Sequence, residues 1–482
     1  MAQGERTRLR ARLMERVGNE CVMDATSLES GYDWWPLALK HEAAHQPGTQ
    51  PELIVCPKTA AEVAAVLQIC SAEGAGVTAY GGGSGVAGAA IPTAGGVLLD
   101  LVHLRNVREI DRKNLLVTAE AGMVGGHLEE QLRAQGYTLG IYPQSLTLST
   151  VGGWVATRAT GSHSGHYGDI EQRLAGVEVA LVDGTLARTP LMPHWALGPN
   201  LSHLFVGAEG TLGVVTAVTL RMVRRPRQRL LRAALFPELE DGLAALRMFA
   251  QEGLRPAVVQ LHDVEETKRR HDLFEHPQAG CLLLLGFEGP ERLTALEEEL
   301  TLEVCRARGA IDLGRGPAER WDAHRLSVPT EYATLRTPGV MADVIDIQAH
   351  WDRLEETYRA VSRALLAHCG SVSAHFSHVT PQGSAIIFSF AIEATDDEEA
   401  VRRYLLAWDA AMAAVFTKGA TIAHHQGIGL ARARWFAAAL GDAWPIWERL
   451  KQAFDPSGIL NPGKLEESEE QPATPPAELV NG

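Results

Sequence analysis

The chain has 482 residues, 46% of them hydrophobic and 21% charged, which excludes a wholly disordered or fibrous protein. It is too long for one simple core, since single cores stop growing at roughly 250–300 residues, so two or more domains are expected. Its 44 basic and 59 acidic residues leave a net charge of -15, which provides no basic stripe for nucleic acid and little attraction to an anionic membrane. The six cysteines stand singly without metal-finger spacing and read as small buried residues of a cytoplasmic protein. No stretch approaches the ~18 apolar residues of a membrane span, and the amino terminus lacks a signal core.

Residues 1–50 form a helical leader, with Leu9, Leu13 and Val17 on one face and arginines between them. Such a face suits docking on its own domain, with a membrane or partner contact as the alternative. A second helix follows Pro51, with Thr59 as N-cap and Glu62 completing a capping box. Strands are expected at Val77–Tyr80, Gly96–Leu101 and Leu115–Ala119, and a helix from His127 to Gln135 closed by Gly136. Asp183-Gly184 predicts a hairpin between Val177–Val182 and Thr185–Ala187 with a tight primed turn. Gly207–Gly213 leads into an alternating strand, Val214–Val223, and Arg224-Arg225-Pro226-Arg227 reads as a boundary that closes a first domain at 51–227.

Beyond it, residues 228–420 alternate strand and helix as a cap. Strands are expected near Leu230–Phe236, Ala257–Leu261, Cys281–Phe287, Val344–Ile347, Val372–Val379 and Ala385–Ile392. Helices are expected at Glu238–Glu252, Leu293–Arg308, Trp351–Cys369 and Asp396–Phe416. Residues 421–465 carry two short helices and return to the first domain, and the acidic, proline-bearing stretch 466–482 is expected to be disordered.

The 47 glycines concentrate in a few runs. Gly83-Ser84-Gly85-Val86-Ala87-Gly88 matches G-x-G-x-x-G after a strand, but Pro92 and Gly95-Gly96 leave no room for the helix that a Rossmann site needs. Consecutive glycine amides can still form a nest that binds phosphate oxygens, although a tight strand connection would use the same residues. Three glycine-gated turns in one domain, at Gly81, Gly152 and Gly210, point to a large cofactor with phosphates and a flat ring.

Pro57-Lys58-Thr59-Ala60-Ala61-Glu62-Val63, Tyr80-Gly81-Gly82-Gly83-Ser84, Ser149-Thr150-Val151-Gly152-Gly153, Glu209-Gly210-Thr211-Leu212-Gly213-Val214 and Leu460-Asn461-Pro462-Gly463-Lys464 together resemble the vanillyl-alcohol-oxidase superfamily over about Pro51 to Leu465. Within it, Ser149–Ala159, Gly168-Asp169-Ile170-Glu171 and His424-His425-Gln426-Gly427-Ile428-Gly429 look most like the alkylglycerone-phosphate synthase group and its bacterial relatives. The resemblance implies an α+β fold: a PCMH-type FAD-binding domain followed by an FAD-linked oxidase cap with a ferredoxin-like sheet covered by helices. It implies that Ala79, Tyr80, Gly81, Gly82, Gly83, Ser84 and Gly85 wrap the FAD pyrophosphate. Gln144, Ser145, Ser149, Thr150, Thr157, Arg158, Ala159 and Thr160 would line the flavin, with Gly152 and Gly153 as close-approach points. Glu209, Gly210, Thr211, Leu212, Gly213, Val214 and Val215 would meet the adenine end. Tyr80–Ala90 contains no histidine, so the implied FAD is held without a covalent tether.

His424 and His425 match the family's histidine run and are candidates to accept a substrate proton; a surface or metal-binding turn is the alternative, yet no third ligand has recognisable spacing. Arg336 is a candidate grip on an anionic substrate. His378 is a further catalytic candidate, and its odd separation from His375 would send the two to opposite faces of one strand. No metal is expected. The chain departs from the synthase pattern at Ile387 and Ser389, where that group has a functional tyrosine, at His378 and its neighbours, which lack a phosphate-binding arginine, and at Ile141 in place of a histidine. The expected activity is therefore FAD-dependent oxidation of a small, anionic, 2-hydroxy-acid-like molecule. Alkyl-for-acyl exchange and a flavin-binding scaffold without turnover are the alternatives. The expected partner is a small-molecule substrate, with a homodimer left open.

Overall fold

The computed structural model describes residues 2–25, 33–43, 50–194, 196–274, 279–326 and 337–467. Arg336 and the tail from residue 468 lie outside the described residues.

The leader helix, Gln3–Val17, buries Leu9, Leu13 and Val17. Arg8 and Arg12 both reach Glu73, at the end of the helix Ala60–Glu73, so the apolar face docks on its own chain. In that second helix Thr59 Oγ1 accepts the Glu62 N–H while Glu62 accepts the Lys58 N–H, and Gly74 ends it at φ +63.

Strands Val22–Asp24, Leu53–Val55, Val97–Asp100 and Val77–Tyr80 form a four-stranded sheet in that order, parallel except at its first pairing. Beside it lies a five-stranded antiparallel sheet of Val107–Asp111, Leu116–Glu120, Val214–Arg221, Leu174–Ala180 and Leu186–Arg188. One hydrophobic cluster runs from Leu9 through both sheets to Leu460, whose backbone bridges Val77. No helix opens between Gly81 and Gly96, consistent with the spacing argument.

The hairpin at Asp183-Gly184 forms, but its turn is not primed. Gly184 has φ +88 while Asp183 is absent from the left-handed residues, because the Asp183 carboxylate accepts the Thr185 N–H and favours a right-handed turn. The pairing therefore closes at Ala180 and Leu186, with Leu181 N–H reaching the Thr185 carbonyl.

The third sheet has seven antiparallel strands in the order Ile311–Gly314, Gln228–Phe236, Cys281–Gly289, Val258–His262, Ser371–Ser377, Gly383–Glu393 and Val340–His350. Its first strand was not anticipated, since Ile311–Gly314 is too short and too exposed to show alternation. Helices Leu239–Gln251, Glu291–Ala307, Leu354–Leu366 and Asp397–Thr417 pack on one face, where Ile345, Phe376, Ile386 and Phe388 are fully buried. Fully burying each such side chain stabilises the fold by about 1.5–3 kcal/mol. The alternate residues Val344, His375, Ser377 and Ile387 then line a cleft against the first two sheets.

Candidate active site

The cleft has a volume of about 350 Å³. Its floor is the glycine loop after strand Val77–Tyr80. A Cβ on Gly82 would lie 2.1 Å from the Leu148 carbonyl oxygen, and one on Gly81 would lie 2.5 Å from Thr150 Oγ1. The loop is thus pressed on the 145–150 turn with only backbone facing the cleft. Among the described residues the N–H groups of Gly81 to Gly85 find no acceptor, and all five residues line the cleft, so consecutive backbone donors are available to a ligand. That is the donor set a diphosphate requires.

Most of the expected cofactor contacts line this cleft: Ala79 to Gly85, Gln144, Ser145, Ser149, Thr150, Gly152, Gly153, Thr157, Ala159, Thr160, Glu209, Gly210 and Gly213 to Val215. Three do not. Arg158 is the left-handed C-cap of helix Val151–Thr157 and turns away to pair with Glu171 at 2.8 Å. Thr211 is fully buried and donates to the Ala208 carbonyl, and Leu212 is in the core. Glu209 borders the cleft, but its carboxylate is committed: it accepts the N–H groups of Ile428 and Gly429 at 2.6 and 2.9 Å.

The proton-transfer candidates meet at the turn 424–426. Asp346, fully buried on its cap strand, accepts the N–H groups of His424, His425 and Gln426 at 2.8, 2.6 and 3.2 Å. Its other oxygen binds Arg432 at 2.5 Å, and this carboxylate thereby fixes the histidine turn. His425 Nδ1 faces Asp346 Oδ2 at 3.4 Å and His424 Nδ1 at 3.0 Å. His425 lines the cleft; His424 stands behind it. His378 Nε2 is 3.3 Å from Thr160 Oγ1 and its ring centroid is 4.8 Å from that of His424.

Both His375 and His378 line the cleft, contrary to the alternation argument. The strand ends at Ser377, and His378 takes a left-handed φ of +49, which resets the direction of its side chain. The fold also supplies what sequence spacing could not: ring nitrogens of His378, His424 and His425 lie within 4.8 Å of one another, close enough to share an ion. Burial pushes the His378 imidazole well below 6.5, and burial plus the charge of His425 pushes His424 down to about 4, so both are neutral at pH 7. Burial also lowers His425, opposed by the Asp346 carboxylate.

A cation not singled out from the sequence also lines the cleft. Arg325 follows helix Gly316–His324, one turn beyond Trp321, and both line the cleft. Its Nε binds Asp322 at 2.9 Å, its Nη1 reaches Ser162 at 3.3 Å, and the guanidinium lies 5.2 Å from the Tyr142 ring centroid. The i, i+4 pair of Trp321 and Arg325 was the available signal, hidden because the surrounding helix is short. Among the departures from the synthase pattern, Ile387 lines the cleft and Ile141 is sealed in the core.

Two family models match: the FAD binding domain over residues 51–190 and the C-terminal domain of FAD linked oxidases over residues 225–465. An uncharacterised FAD-linked oxidoreductase of Escherichia coli (strain K12), YgcU, is 31% identical over 77% of this chain and 79% of its own. Alkyldihydroxyacetonephosphate synthase of Dictyostelium discoideum is 27% identical over 86% of this chain and 73% of its own. The glycolate oxidase subunit GlcD of Bacillus subtilis (strain 168) is 25% identical over 89% of this chain and 92% of its own. A solved alkyldihydroxyacetonephosphate synthase has the same fold, with a TM-score of 0.80 at 23% identity, covering 95% of this chain and 85% of its own. So does p-cresol methylhydroxylase, with a TM-score of 0.80 at 17% identity, covering 97% and 98%. Among the described residues no helix is long and apolar enough to cross a membrane. With an FAD-binding domain, an FAD-linked oxidase C-terminal domain and a PCMH-type fold, the chain belongs to the FAD-linked oxidase family and is an FAD-dependent oxidoreductase.

Proposed function

We propose that the protein oxidises a small 2-hydroxy acid, with residues 51–227 holding FAD, 228–420 forming the cap and 421–465 bringing the histidine turn back to the cofactor. The observation that carries this reading is that a cation, Arg325, and the neutral His378 line the same cleft. Thr160 bonds His378 and Ser162 bonds Arg325, so one short stretch of chain touches both the imidazole and the guanidinium. A carboxylate and a hydroxyl on one small molecule are the groups this cation and these histidines would receive in the shared cleft.

Gly81 to Gly85 would hold the pyrophosphate on their N–H groups, non-covalently, and Gln144 to Thr150 with Ala159 and Thr160 would flank the ring. FAD, when bound, accepts the hydride equivalent. Arg325 binds the substrate carboxylate and sets its orientation, sharing its charge with Asp322. His425, with Nδ1 turned to Asp346, presents Nε2 to the cleft and takes the hydroxyl proton; His378 and Thr160 hold that hydroxyl in place. Trp321, Val344 and Ile387 exclude water from the reacting end.

Alkyl-for-acyl exchange is a second reading, favoured by the synthase relative and opposed by Ile387, an aliphatic group where that group of enzymes carries its tyrosine. Anaerobic mixing with a panel of 2-hydroxy acids separates them. Bleaching of the bound flavin by one of the panel supports the oxidation. No bleaching, together with exchange of a fatty alcohol into acyl-dihydroxyacetone phosphate, refutes it.

A further inference from the structure

Residues 33–43 precede both matched segments, yet they touch the glycine loop at one end and the cap at the other. Asp33, 2% exposed, borders the cleft and accepts the Gly88 N–H at 2.8 Å and the Trp35 N–H at 3.0 Å. Trp34 N–H donates to the Gly85 carbonyl at 2.6 Å. The loop limb from Gly85 to Gly88 is therefore held from outside rather than by itself. Its fit leaves no slack, since a Cβ on Gly88 would lie 3.0 Å from the Trp35 ring and one on Gly85 would lie 3.1 Å from the Asp33 carboxylate.

From Trp35 the chain turns into helix Pro36–Ala43 and meets the cap. Trp35 Nε1 donates to Tyr404 Oη at 3.2 Å, and Tyr404 donates in turn to Asp343 on the cap sheet at 2.8 Å. Lys40, also 2% exposed, binds Asp397 at 2.7 Å and the Thr337 carbonyl at 2.6 Å. Asp397, itself 40% exposed, accepts the Gly339 N–H as well, so the buried Lys40 joins its helix to the start of the long cap helix.

We infer that Asp33 is a cofactor-positioning residue that shapes the far limb of the phosphate loop, and that residues 33–43 form a strap through which the seating of the cap sets how tightly FAD is retained. The inference rests on the assignment of the glycine loop to the FAD pyrophosphate. The Asp33 carboxyl carries no direct contact to a phosphate in this scheme; it acts by fixing Gly88. Burial raises it to about 7, so it meets the anionic cofactor partly neutral rather than as a full opposing charge.

The test measures FAD release from holoprotein on dilution, by the rise in free-flavin fluorescence, alongside the melting temperature of the apoprotein. Asp33→Ala should release FAD about tenfold faster or more, and Asp33→Asn, which keeps one acceptor oxygen, should fall between it and the natural chain, with little change in apoprotein melting. Lys40→Met, remote from the glycine loop, should speed release several-fold, and Trp35→Phe, which keeps a ring beside Gly88 but loses the bond to Tyr404, should do the same. Release within twofold of the natural chain for both Asp33 variants overturns the positioning role. Earlier melting without faster release in both Lys40→Met and Trp35→Phe overturns the strap. Gly82→Val distinguishes the underlying assignment: if that variant retains FAD, the loop assignment fails, whereas if it loses FAD and the Asp33 variants do not, only the present inference fails.

Discussion

Replacing Asp346 by Asn removes one charge from a site where that charge has four tasks. The carboxylate is fully buried, accepts three consecutive backbone N–H groups at the histidine turn, and neutralises Arg432, itself 1% exposed. Breaking a buried pair by removing one partner costs about 3–5 kcal/mol, because the remaining ion keeps its desolvation penalty without its counter-charge. The amide also brings an NH2 group toward a cluster of N–H donors, so at least one of the three bonds is lost. We expect Asp346→Asn to lower cap stability by about 3–5 kcal/mol in urea unfolding followed by tryptophan fluorescence, and to slow flavin reduction by about tenfold or more as His425 loses its orientation. The double variant Asp346→Asn/Arg432→Met should recover part of the stability loss, since the stranded cation is gone. A loss below about 1 kcal/mol, or two effects that simply add, would refute the clamp.

Other consequences can be measured independently. Gly82→Ala forces a methyl into a backbone carbonyl and should weaken FAD binding by about 1–3 kcal/mol, or roughly 5- to 150-fold, in a fluorescence titration; an unchanged Kd would show that the loop yields freely. Arg325→Met should raise KM for the 2-hydroxy acid by about 30-fold or more with a smaller effect on kcat, and equal loss in both would point to a role other than ground-state carboxylate binding. The base His425 acts in its neutral form and burial lowers it from 6.5, so the rate of flavin reduction should stay flat from pH 8 through pH 6.5 and fall only at lower pH; a fall centred on or above 6.5 would contradict the burial effect. Stability has the matching sign: the folded His424 titrates below its unfolded value, so the unfolded chain binds more protons between the two, and stability should decline as pH drops from 6.5 toward 4.

The layered organisation was legible because long elements carry their own period. The strand Gly383–Glu393 and the helix Asp397–Thr417 show alternating and helical patterns over enough residues to be unambiguous. The phosphate loop was legible for a different reason, since Gly81–Gly85 combines a close backbone approach with bare amides that only glycine permits. What stayed hidden depended on backbone geometry or on distant contacts. The left-handed turn at His378 is invisible to a two-residue period, so His375 and His378 were assigned to opposite faces. Arg158 and Leu212 lie inside glycine-rich motifs whose neighbours do face the cleft, and motif membership alone could not separate them. Arg325 and Asp33 reach the site from outside the motifs, through contacts between residues remote in sequence, which local patterns do not encode.

The most direct test of the proposed oxidation is a single anaerobic turnover. Holoprotein and its His425→Ala variant are mixed with a 2-hydroxy acid in a stopped-flow instrument while the flavin's visible absorbance is followed. Bleaching by the natural chain, slowed at least about a hundredfold in a variant that still holds FAD, is the expected result. Retained absorbance in both proteins across the whole panel, or equal bleaching in both, would contradict the assignment of substrate or of the base.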